Sequence, residues 1–73
     1  MRVVCRRRGL FGTVISAENG PTRPLRPGVL YDVRWLDYPD EGPDEVDGGQ
    51  LVEVSEGAYL VEVVERGLDA EKA

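Results

Sequence analysis

Apolar and polar positions alternate most clearly over residues 30–36, where Tyr31, Val33 and Trp35 share one face and Asp32 and Arg34 the other. Successive side chains of a strand point to opposite faces, so this period of two predicts a half-buried β-strand. Residues 2–6 ("RVVCR") and 13–17 ("TVISA") are rich in β-formers and predict two more strands. Between them "RRGLFG" reads as a turn or arched loop, with Gly9 and Gly12 free to take positive φ. "ENGPTRPLRPG" combines Asn-Gly with three prolines, which suits neither a central strand nor a helix interior. It is read as a long loop, polyproline-like in part.

The acidic run "DYPDEGPDEVDGG" predicts a second long loop or a wide-tipped hairpin, with Val46 as the one inward anchor of a short strand. "QLVEVSE" predicts another strand, ending in a turn at Glu56 and Gly57. The last segment, "AYLVEVVERGLDAEKA", has two readings. Its valine density over residues 59–65 favours a strand, whereas Leu60, Val64 and Leu68 fall at i, i+4 and i+8, a helical stripe. A strand to about residue 65 is preferred, with a short helix as the alternative. Five short strands joined by Gly- and Pro-bearing turns predict an all-β fold, a small, strongly bent antiparallel barrel with long loops. A closed barrel would also shield strand edges that otherwise invite aggregation. The expected organisation is one domain over residues 1–66, followed by a flexible or helical charged tail over 67–73.

With 73 residues the chain supports one thin core, since a domain of this size buries only about 60% of its unfolded surface. It has no histidine and one cysteine, Cys5. That removes an intrachain disulfide, the usual zinc ligand sets and the Ser/His/Asp and Cys/His arrangements of nucleophilic catalysis. Cys5 is expected to behave as a small hydrophobe of the first strand. No catalytic role and no cofactor are expected. No apolar run reaches the ~18 residues of a membrane span, and the Arg-rich start lacks a following signal-peptide core, so a cytoplasmic chain without membrane contact is expected.

The net charge of −5 hides a division. Residues 1–36 carry seven Arg against Glu18 and Asp32, a balance of +5, and residues 37–73 carry twelve acids against Arg66 and Lys72, a balance of −10. A compact fold interleaves these halves, so part of the charge is expected to pair internally, while the acidic excess opposes loose association with nucleic acid.

Taken in order, "GLFGTVIS", "YDVRWLD" and "DGGQLVEV" resemble the small SH3-like barrels of the KOW and Tudor type. They also resemble a family of short actinobacterial domains of unknown function. The resemblance covers about residues 3–54 and concerns architecture rather than activity. It implies structural roles for Gly12, Val14, Val33 and Leu51, and binding of peptides, RNA, DNA or larger assemblies rather than catalysis. The proline-rich loop, the acidic loop and the segment from Ala58 depart from the pattern.

Candidate binding residues follow from these features. Tyr38 lies beyond the strand beside a proline and is the aromatic residue expected at the surface. Tyr31 and Trp35 either join it in an aromatic patch or fill the core; for Trp35 the core is preferred. Phe11 and Tyr59 are the only further rings available to a cage around a methylated ligand. Asp37, Asp40, Glu41, Asp44, Glu45 and Asp47 form an acidic cluster without the oxygen spacing of a calcium loop, so no metal site is expected. With Tyr38 they suggest a surface that docks on a basic protein. Arg6, Arg7, Arg8, Arg23, Arg26 and Arg34 are the alternative, a phosphate-gripping set for nucleic acid. Pro21, Pro24 and Arg26 match the P-x-x-P-x-R spacing of a polyproline ligand, for which a stiffened loop is the preferred reading. The expectation is therefore a non-catalytic interaction module, an accessory or regulatory protein of bacterial or phage type, that binds a larger protein or complex. A KOW-like nucleic-acid binder and a structural subunit of a particle are the alternatives.

Overall fold

The computed structural model describes residues 1–18 and 24–67. Five antiparallel strands form one sheet: β1 Arg2–Cys5, β2 Phe11–Ala17, β3 Leu30–Trp35, β4 Asp44–Asp47 and β5 Leu51–Glu53. The order across the sheet is β4-β3-β2-β1-β5, so the chain meanders outward from β1 to β4 and then returns to pair β5 with β1. A 3₁₀ turn, Gly48–Gln50, makes that return, and a helix, α1 Glu56–Glu65, follows. The fold is thus mostly β, as the strand patterning predicts.

Register explains the core. Val3 lies opposite Gly12 and Gly12 opposite Trp35 in one row, and Val14 lies opposite Val33 in the next, so the inward residues of three strands share one face. Tyr31 and Val33 are fully buried, and Trp35 is 4% exposed. Val3, Cys5 and Leu51 complete the cluster. Cys5 is a core hydrophobe, and the aromatic residues of β3 fill the interior. Val46 lies opposite Tyr31 and packs at the core's edge, which makes it the inward anchor of β4.

Gly12 departs from expectation. It is a strand residue and takes no positive φ; only Gly9 of that segment does, at +67°. Glycine is needed at position 12 for space, because a Cβ there would sit 2.7 Å from Val33 Cγ1 and 2.9 Å from Trp35 Cε3. The indole ring and the valine take the volume that a side chain would fill.

The preferred strand over residues 59–65 is also corrected: the segment is α1, and β5 has ended at Glu53. Ser55 caps the helix, its hydroxyl accepting from the Ala58 N–H at 3.1 Å, and Glu56 adds a favourable charge in the first turn. Tyr59 and Val63, at i and i+4, are the buried pair. The sheet's fifth strand is β4, the short strand that Val46 anchors. Beyond Gly67 the expected tail lies outside the described residues.

Two arginines fix α1 across the sheet face opposite the core. At its start, the Arg2 guanidinium lies 4.1 Å from the centre of the Tyr59 ring, bonds Glu56 at 3.0 Å and donates to Thr13 at 2.6 Å. At its end, Arg66 bonds Asp37 at 2.7 Å, pairs with Glu62 and lies over the Phe11 ring. The hydrogen bond from Arg2 holds the Glu56 carboxyl below its ordinary pKa and raises that of Arg2. A carboxylate depressed in the folded state stabilises above its unfolded pKa, and the contribution is lost as pH falls through the folded value. Glu56→Gln should therefore be less stable than the parent at neutral pH, and the gap should close on acidification below the usual carboxylate range. Thermal melts followed by far-ultraviolet circular dichroism across that range check this; a gap independent of pH would show that the pair contributes nothing.

Candidate functional site

Antiparallel pairing brings the β1–β2 turn and the β3–β4 loop to the same end of the sheet. The turn is tight: Gly9 donates to the Cys5 carbonyl and Cys5 to that of Leu10, both at 2.8 Å. The β3–β4 loop starts with Leu36 donating to Phe11 at 2.8 Å and continues through Tyr38 and Glu41 in successive turns. An open groove lies between the two, lined by Arg8, Leu10, Trp35, Tyr38, Glu41 and Asp44. Tyr38 is 49% exposed, as its position beyond the strand predicts. Its ring therefore offers a face, and Glu41 a carboxylate, in one concavity.

The floor of the groove is built from β3 and β4. Val33 lies opposite Asp44, so the Asp44 side chain shares the inner side with Trp35. The Trp35 Nε1–H donates to Asp44 Oδ2 at 2.7 Å, and the same oxygen lies 3.5 Å from Arg8 Nη1. Burying an indole usually requires a partner for its N–H, and Asp44 is that partner. Arg8, Trp35 and Asp44 also border a second groove, which continues past Arg7, Glu45 and Asp47 to Gln50.

The six acids of the expected docking surface divide by task. Asp37 bonds Arg66, and Asp44 holds Trp35. Asp47 caps the 3₁₀ turn, accepting from Gly49 at 2.8 Å and from Gly28 at 3.0 Å. These three belong to the framework. Asp40, Glu41 and Glu45 are exposed and make no ion pair with the described residues. Asp40 and Glu41 stand with Tyr38 in the β3–β4 loop, while Glu45 lies opposite Asp32 on the outer side of β4. No group of three or more carboxylates or thiols among the described residues is arranged to hold a metal ion.

The arginines divide likewise. Arg8 is engaged by Asp44. Arg6, Arg7, Arg26 and Arg34 are exposed and make no ion pair with the described residues. The 3₁₀ turn gathers two of them: the Arg6 N–H donates to the Gln50 carbonyl at 2.8 Å, and the Arg26 carbonyl rests against Gly48. Arg7 joins them through the second groove. Arg34 lies opposite Thr13 on the sheet face that α1 covers in part, away from this arc. Arg23 lies outside the described residues, as does Pro21 of the polyproline-type spacing.

The five rings do not converge. Tyr31 and Trp35 are core, Tyr59 and Phe11 lie under Arg2 and Arg66 respectively, and Tyr38 is the exposed ring of the groove that Trp35 also lines. Sequence reasoning missed Arg2 and Arg66 as helix clamps, and it missed the Arg8–Asp44–Trp35 constellation. Asp44 carries no signal of its role until β4 is placed beside β3.

Compared with known proteins, the chain matches no family model, no curated protein and no solved structure. Among the described residues, no helix is long and apolar enough to cross a membrane.

Proposed function

We propose that this chain is a non-catalytic interaction module of SH3-like type, which binds a larger protein through a basic side chain inserted beside Tyr38. A five-stranded meander whose last strand returns to pair with the first supports the SH3-like reading. The observation that carries the binding reading is the half-exposed Tyr38 ring in one groove with Glu41, close to the Asp44 carboxylate. A cation is attracted to an aromatic face and forms charge-assisted hydrogen bonds with carboxylates, so the groove suits an arginine or lysine side chain. Asp40, on the same loop, adds long-range attraction for a basic partner.

The test is affinity capture from a lysate at two salt concentrations with nuclease present, followed by titration of the captured protein. Asp40→Lys combined with Glu41→Lys, and separately Tyr38→Ala, should each weaken binding about two- to fivefold, the scale of an exposed cation–π contact or charge pair. Neither should move the melting temperature by more than a few degrees. If both leave binding intact, the groove is not the site.

A second reading rests on Arg6, Arg7 and Arg26, which border the 3₁₀ turn and make no ion pair with the described residues. In it the arc grips phosphates, and affinity for DNA or RNA falls steeply with salt. Loss of binding in Arg7→Glu, with the loop-acid variants unaffected, would select this reading.

A further inference from the structure

Among the ion pairs between described residues, the one from Arg8 to Asp44 is the loosest. Its N–O distance is 3.5 Å, against 3.0 Å for Arg2–Glu56 and 2.7 Å for Arg66–Asp37. Arg2 and Arg66 also lie over aromatic rings, whereas the Arg8 side chain makes no hydrogen bond or ring contact with the described residues. Both members of the Arg8–Asp44 pair are more than half exposed, at 59% and 52%. Asp44 is the better held of the two. The indole N–H of the buried Trp35 donates to the same carboxylate oxygen at 2.7 Å, so Asp44 keeps its place when Arg8 leaves. A fixed acceptor thus meets a loosely held cation.

We propose that Arg8 is an internal competitor for the Tyr38 groove, holding Asp44 until a partner's basic side chain displaces it. Arg8 competes in this way only where the groove takes a basic side chain, as proposed above, and it then sets how tightly. Its guanidinium presents the chemistry of the incoming ligand and engages Asp44, one of the two carboxylates that line the groove with Tyr38. A ligand whose site is open for part of the time binds more weakly by that fraction. Exposed ion pairs are weak, so Arg8 lowers the affinity by a modest factor and does not close the groove. Only its side chain has to move, because the hydrogen bonds of Gly9 and Cys5 pin the backbone of the β1–β2 turn. Arg8 also borders the second groove, where Glu45 is exposed and makes no ion pair with the described residues. A cation that engages Asp44 alone gains no more there than Arg8 already has. One that also meets Tyr38 and Glu41 wins the exchange, so the competitor adds selectivity as well as tuning affinity.

The probe is a capped Gly-Arg-Gly peptide, titrated at low ionic strength into the full chain labelled with nitrogen-15. Trp35 is the only tryptophan, so its indole N–H gives a single resonance that reports directly on Asp44. Arg8→Gln should bind the peptide about two- to fivefold more tightly than the parent, the scale of an exposed ion pair released. Asp44→Asn keeps an oxygen for the indole but loses the charge, and it should bind more weakly. In the Asp44→Asn background, Arg8→Gln should bring no gain, because there is no longer a carboxylate to compete for. A gain of equal size in both backgrounds would overturn the proposal, since Arg8 would then act through the general field alone. Unchanged or weaker binding in Arg8→Gln would also overturn it; if Tyr38→Ala still weakened the peptide, the groove reading would survive that result. A peptide that shifts no groove resonance in any variant would remove both.

Discussion

Trp35→Ala is expected to cost about 3–5 kcal/mol, the range for emptying a buried aromatic site. The ring is 4% exposed and rests on the bare backbone of Gly12, with Cε3 2.9 Å from where a Cβ would stand. Glycine's lack of a side chain is matched to the indole, so no neighbour is poised to fill the space that alanine would leave. A 73-residue domain has a net stability of only about 4–11 kcal/mol, so this one change removes about a quarter of it or more. Trp35→Phe separates volume from hydrogen bonding. It keeps most of the packing but loses the 2.7 Å bond to Asp44, whose carboxylate is exposed enough to turn to water or Arg8. A cost of about 1–2 kcal/mol is expected for it. Because Trp35 is the only tryptophan, denaturant unfolding must be followed by far-ultraviolet circular dichroism rather than fluorescence. A loss near zero for the alanine variant would place the ring at the surface and remove the wall of the proposed groove.

How far such a site can be seen in the sequence depends on what creates each element. β3 is legible because its own side chains alternate, and the burial of Tyr31, Val33 and Trp35 follows the period of two. β4 is legible only as a short strand anchored by Val46, because "DEVD" has that one apolar residue and pairs through its ladder with β3 rather than through intrinsic preference. α1 misleads for the opposite reason. Apolar residues on both sides blur the helical period into a valine-rich run that also reads as a strand. The stripe visible as Leu60 and Val64 is the outward one, while Tyr59 and Val63 carry the packing. Ser55 before the run was the available signal of a helix start.

Charge shows the same division. The sequence displays six acids in one cluster, but their tasks are set by partners far along the chain. Asp37 meets Arg66, 29 positions away, and Asp47 meets Gly28, 19 away. Without the fold, a framework carboxylate and a free one look alike. Only after Asp37, Asp44 and Asp47 are set aside do Asp40 and Glu41 stand with Tyr38 as groups available to a ligand. Internal pairing between the basic and acidic halves was foreseeable, and Arg2–Glu56 and Arg8–Asp44 realise it. Which arginines would be left over was not.

Gly48→Ala is the second substitution expected to be severe, at about 3 kcal/mol, the upper end of ordinary overpacking. The sequence shows only a Gly-Gly pair, in which either residue could be a loop spacer. The structure separates them. A Cβ at Gly48 would lie 2.2 Å from the Arg26 carbonyl oxygen and 2.6 Å from Tyr31 Cε1. Neither neighbour is free to retreat. Tyr31 is fully buried, and its hydroxyl accepts from the Arg26 N–H at 3.1 Å. The incoming loop is also tied to the turn, Gly48 donating to Val29 at 2.9 Å and Gly28 to Asp47 at 3.0 Å. Alanine must therefore push the loop away from the core and break at least one of these bonds, or displace a ring that fills the interior. Gly49→Ala is the control. Its nearest contacts would be Asp47 Oδ1 at 3.0 Å and Pro27 Cβ at 3.5 Å, so a cost within about 1 kcal/mol is expected. Denaturant midpoints of the two variants, measured side by side, decide the matter. Equal costs would mean that the approach of Arg26 and Tyr31 to the 3₁₀ turn is wrong. A selective loss at position 48 would establish the packing that brings Arg26 toward Arg6, on which the phosphate-binding reading depends.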